Sequence, residues 1–125
     1  MTDDIAQWLG ARLDEDERIA RAAHVPNWST DGRRGVYYGV EDSWMTDALT
    51  TADADHIAAH DPARVLREID AKRQLVERHE RAMENRRAHP EDLASAGALL
   101  ALHGAVKLLA LPYADRPGYR EEWRP

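Results

Sequence analysis

At 125 residues, with 43% hydrophobic and 32% charged side chains, the chain has too much apolar material for a disordered polypeptide and too little length for two independent cores. Its net charge of −6 repels a phosphate backbone, so nucleic acid is not expected as a partner. The lack of cysteine removes disulfides, thiolate nucleophiles and sulfur-ligated zinc.

The acidic opening MTDDIAQWLG has no basic segment followed by an apolar run, so a cytoplasmic protein is expected rather than a secreted one. Residues 3–24 read as a helix, since Ile5, Trp8, Leu9, Leu13, Ile19, Ala20 and Ala23 fall on one side at about 100° per residue. Arg12 and Asp16 stand in that stripe at i, i+4 and should pair with each other or with whatever the helix packs against. From residue 25 to 50 the helical period is lost. Pro26, Asn27, Asp31-Gly32, Gly35 and Gly39 punctuate the segment as turns do, and Val36, Tyr37, Tyr38 and Val40 favour a strand. The Asp31-Gly32 step predicts a hairpin from a strand around Trp28, with residues 41–49 adding another strand or a loop.

Thr51 is the expected cap of a short helix over residues 51–60. Asp61-Pro62 then pairs an N-cap residue with proline at the first helical position and predicts a long helix over 62–88. Its stripe is Val65, Leu66, Ile69, Val76 and Met83. His89-Pro90 breaks it, and a further helix over 91–111 is apolar almost all round, interrupted only by Ser95, His103 and Lys107. That helix is predicted to be the most buried element. Gly97, Ala101, Gly104 and Ala105 would let another helix approach it closely. Lys107 and His103 inside it, Pro112 after it and a mean hydropathy of −0.67 for the whole chain speak against a membrane span. The segment 112–125 carries Tyr113, Tyr119 and Trp123 between prolines and is predicted to dock as an extended tail through those rings. The fold class is α+β, mainly helical, with a small antiparallel hairpin or short sheet, in one domain over 1–125.

The segments ADHIAAHDPARVLREIDAKRQLVERHE (54–80) and LLALPYADRPGYREEWRP (108–125), with WLGARLDEDERIARAA at the start, resemble the signature blocks of an uncharacterised family of short actinobacterial and phage proteins. The layout is more remotely similar to Ead-type phage accessory proteins. What these resemblances imply is an accessory gene product, with no activity and no functional residue to carry over.

Among site candidates, His56 and His60 lie one turn apart on one helix face, where two imidazoles can bind a divalent metal. A structural zinc needs four ligands, and the metalloprotease pattern needs Glu where Ile57 stands, so no bound metal is expected. Arg33 and Arg34 beside Tyr37 and Tyr38 offer guanidinium groups and rings for a nucleotide, or a charge-guarded edge strand. His103 reads as a core histidine. No G-x-S-x-G turn and no glycine-rich phosphate loop occurs, so neither a catalytic residue nor a cofactor is expected.

A helix over 62–88 would be about 40 Å long, against a radius of gyration of about 14 Å for a compact chain of this length. Four elements of unequal length cannot easily cover both it and an all-apolar helix, which predicts a homodimer. The function expected from the sequence is protein–protein interaction, with an unidentified protein partner besides a second copy and no membrane. The alternative is a ligand-sequestering small-molecule or nucleotide binder; an enzyme of unrecognised type comes third.

Overall fold

The computed structural model describes residues 4–125; residue 3, the expected start of the first helix, lies outside them. Four helices and three short strands follow in the order α1 (Asp4–Ala22), β1 (Trp28–Thr30), β2 (Gly35–Tyr38), β3 (Ser43–Asp47), α2 (Thr51–Ala59), α3 (Pro62–Ala88) and α4 (Leu93–Ala110), with 3-10 turns at Leu111–Tyr113 and Glu121–Trp123. The fold is mainly helical α+β. The chain divides into two compact units, Glu15–Ile69 and the described residues up to Asp14 together with Asp70–Pro125, so the boundaries fall inside α1 and α3.

In the Glu15–Ile69 unit the strands form one antiparallel sheet in the order β1-β2-β3. Trp28 pairs with Tyr38 and Thr30 with Val36. The turn between them is set by Asp31, whose carboxylate accepts from the Arg33 amide at 2.8 Å, and by Gly32 at φ 76°. Met45 is the extra residue of a bulge opposite Val36 and Tyr37. α2 packs on β1 and β2, with Val36 and Ala54 wholly buried. Its cap is Thr50, whose hydroxyl accepts from the Asp53 amide at 3.0 Å; Thr51 is already the first helical residue, one position later than its predicted role as cap. α3 starts at Pro62 as predicted. Asp61 accepts from the Arg64 amide at 2.9 Å with one carboxylate oxygen and from the Trp28 amide at 3.1 Å with the other.

The second unit is built on Ile5, Leu9 and Leu13 of α1, which are fully buried, with Ala110 and Val106 of α4, Val76 and His79 of α3, Tyr113 and Trp123. Asp92 caps α4 through the Ala94 amide at 3.0 Å, and the Ser95 hydroxyl donates to the Asp92 carbonyl at 2.8 Å. α4 corrects the sequence reading. It is not the most buried element: only Ser95, Val106 and Ala110 are buried along it, while Leu93, Leu100 and Leu108 are 87%, 75% and 59% exposed. In the tail, two of the three rings meet α1: Tyr119 and Trp123 lie 5.6 and 5.4 Å from the Trp8 ring. By length and composition alone, Leu93–Tyr113 is also the one stretch among the described residues able to cross a membrane.

Candidate functional site

The richest chemistry lies between α3 and α4. His79 sits three residues after Val76 and four before Met83, on the apolar stripe of α3, and is 1% exposed. Its Nε2 faces Nδ1 of His103 across the helix pair at 3.3 Å, with the rings stacked 5.4 Å apart. His79 Nδ1 is buried and has no hydrogen-bond partner among the described residues. An orphaned N–H donor there would be costlier than an orphaned lone pair, so the hydrogen-bond network assigns the proton to His79 Nε2, donating to His103 Nδ1. Burial holds the His79 imidazole below the usual histidine range; His103 adds to this and Glu80 opposes it. Burial, then the charge of Lys107, does the same at His103. Both rings are therefore neutral near pH 7.

Next to this pair the helices open into a cleft of about 300 Å³ lined by Met83, Ala96, Leu99 and Leu100, with the two histidines and Arg86. The Arg86 guanidinium donates to the Pro90 carbonyl in the α3–α4 turn, which fixes the arginine beside the cleft. Bordering the cleft, and sharing Leu100 with it, runs the outer stripe of α4. Leu93, Gly97, Leu100, Gly104 and Leu108 follow each other at steps of three and four, the spacing of a helix–helix seam. A Cβ added at Gly97 or Gly104 would meet nothing within 4 Å.

The residues singled out in the sequence fall in three separate places. Tyr37 and Tyr38, adjacent on β2, project to opposite faces of the sheet: the Tyr37 hydroxyl donates to Asp31 at 3.2 Å, while Tyr38 packs edge-on against His24 at 5.4 Å. That hydrogen bond raises the Tyr37 pKa, and at Asp31 the Arg33 amide leads in lowering the carboxyl. Arg33 and Arg34 are exposed in the turn between β1 and β2. His56 and His60 are both exposed, 4.3 Å apart between ring centres, and His60 Nδ1 donates to the His56 carbonyl at 2.8 Å. No group of three or more His, Cys, Asp or Glu poised for a metal occurs among the described residues.

Tyr113 and Trp123 are buried in the second unit, and Tyr119 stacks edge-on with Trp123 at 5.7 Å. Two further α1 contacts hold the tail: Trp8 Nε1 and Arg12 Nη1 donate to the Pro117 carbonyl at 3.0 and 3.3 Å. Sequence reasoning missed His79, Arg86 and the α1 side of this aromatic cluster. The signal for His79 was present: a histidine in phase with Val76 and Met83 is a buried histidine and needs a partner.

No curated protein and no solved structure matches the chain. A family model described as a family of unknown function (DUF6221) matches residues 2–125, nearly the whole length, and the chain belongs to that family.

Proposed function

We propose that this chain is a non-enzymatic interaction protein whose first partner is a second copy of itself, held through the exposed face of α4. The observation that carries this reading is the alternation of Leu93, Leu100 and Leu108 with Gly97 and Gly104 on one stripe. Each helical glycine costs about 1 kcal/mol relative to alanine, and nothing inside one copy requires either of them to lack a Cβ. A facing helix does. An antiparallel copy with its two-fold axis between Ala98 and Leu99 would set Leu93 against Gly104 and Leu100 against Gly97, filling each gap with a leucine.

The energy is of the right size. Leu93 and Leu100 together expose somewhat more than one and a half residues' worth of surface, so burying them in both copies is worth about 5–10 kcal/mol, the order of the association cost. An accessory role in a phage or actinobacterial genome, and a cytoplasmic location, complete the proposal; the first is supported by the resemblance of residues 54–80 and 108–125, the second by the acidic, cysteine-free composition. Light scattering at micromolar concentration should give about 28 kDa, twice the 14.1 kDa of one chain, and Leu100→Lys should return it to one chain. A wild-type monomer overturns the reading, and co-sedimentation of that monomer with phosphatidylcholine vesicles would reassign the α4 face to a membrane.

A further inference from the structure

We infer that the cleft between α3 and α4 is a binding site for a medium-chain carboxylate, with Arg86 taking the carboxylate and Met83, Leu99 and Leu100 lining the chain. This site needs only one copy of the protein; it borders the two-copy contact proposed above and shares Leu100 with it. Three observations carry it. The first is charge: in a molecule of net charge −6, the cleft lining contains no acidic side chain, and its one permanent charge is the half-buried Arg86. Five N–H groups make up a guanidinium, and the bond to the Pro90 carbonyl orients Arg86 while leaving the rest of the fork for an anion.

The second is wall chemistry. Between Arg86 and the histidine pair the lining is Met83, Ala96, Leu99 and Leu100, which suits an alkyl chain and offers no polar group along it. His79 and Arg86 are two helical turns apart on α3, so the apolar stretch is about 10 Å long. The third is size: about 300 Å³ at roughly 30 Å³ per water-sized group leaves room for about ten heavy atoms. At the far end the lining is the stacked His79–His103 pair, whose facing nitrogens already share a hydrogen bond and so are not left for a ligand's polar head.

Isothermal titration of the full chain below micelle-forming concentrations tests this with three ligands of one chain length: decanoate, decanol and decyltrimethylammonium. Decanoate should bind at one per chain, decanol at least about tenfold more weakly because the charge-assisted bonds to Arg86 are gone, and the cation not measurably. Arg86→Gln should erase the preference for decanoate over decanol. Ala96→Leu, which fills the cleft without touching Arg86 or its bond to Pro90, should abolish decanoate binding while the circular dichroism spectrum stays unchanged. No binding of decanoate, equal binding of all three ligands, binding of several ligands per chain, or a folded Ala96→Leu variant that still binds decanoate would each overturn the assignment.

Discussion

Two neighbouring stretches of the C-terminal half invert what hydropathy leads one to expect. α4 is apolar along nearly its whole length, yet Leu93, Leu100 and Leu108 stand in water. The segment after it is polar, charged and broken by prolines, yet Tyr113 and Trp123 are buried at 5% and 7% exposure. The difference is the supply of facing surface. Trp8 on α1 gives Tyr119 and Trp123 a ring to pack on and gives the Pro117 carbonyl an N–H, whereas a Cβ at Gly97 or Gly104 on the outer stripe of α4 would meet nothing within 4 Å among the described residues. Burial follows from what lies opposite a side chain, and hydropathy only sets the cost when nothing does.

The comparison can be broken from either side. Deleting residues 112–125 removes Tyr113 and Trp123 together, and the shortened chain is expected to lose its cooperative thermal transition; a melting point within a few degrees of the full chain would mean the tail adds nothing. Trp123→Ala alone should cost about 3–5 kcal/mol in urea unfolding, since a buried indole leaves a cavity as well as losing transfer energy. Gly118→Ala sharpens the same point. Gly118 has φ +90°, and a Cβ there would come within 2.7 Å of Trp8 Nε1, so a loss of about 1–3 kcal/mol is expected; a neutral result would show that the ring cluster is loose. On the α4 side, Leu100→Lys measured at a concentration where only single chains exist should change stability by no more than about 0.5 kcal/mol. A large loss there would mean that Leu100 is buried within one copy after all.

The seam between α3 and α4 adds a dependence on acidity. His79 and His103 have folded-state pKa values below their ordinary 6.5, through burial first and then through the neighbouring positive groups, His103 for His79 and Lys107 for His103, with Glu80 opposing at His79. The folded chain therefore binds fewer protons than the unfolded one just below pH 6.5. Their contribution is fully present above that pH and declines as the pH falls through it toward the lower folded-state values. Urea midpoints for wild type and for the His79→Leu/His103→Leu double variant, compared from pH 7.5 to 5, should show a steeper acid loss in the wild type; parallel curves would remove the pair from the account.

How far the sequence led can be argued from particular residues. The start of α3 at Pro62, the hairpin at Asp31-Gly32 and the end of α3 near His89-Pro90 were legible because each depends on a few adjacent residues. The Thr50 cap was misread as Thr51 because two threonines in a row offer the same hydroxyl, and only backbone conformation separates them. The buried state assigned to α4 failed for a different reason: periodicity reports which residues share a face, not whether the chain has anything left to lay on it. Of the candidate site, His103 was visible as an interruption in an apolar helix, but its partner His79 is 24 residues away. Pairing across that separation is a property of the helix–helix register.

Asp61 carries one more consequence, in the kinetics of opening. Its carboxylate is the shared acceptor of two amides 36 residues apart in sequence, Trp28 at the first residue of β1 and Arg64 in the first turn of α3. Each oxygen serves one amide, so either bond can open by itself, but a rotation of the carboxylate releases both. Turning that one side chain would free strand edge and helix tip together. A helix end is ordinarily the first part to fray, so Asp61→Ala is expected to speed deuterium uptake at both Trp28 and Arg64; an effect at one of them alone would show that the two ends open separately.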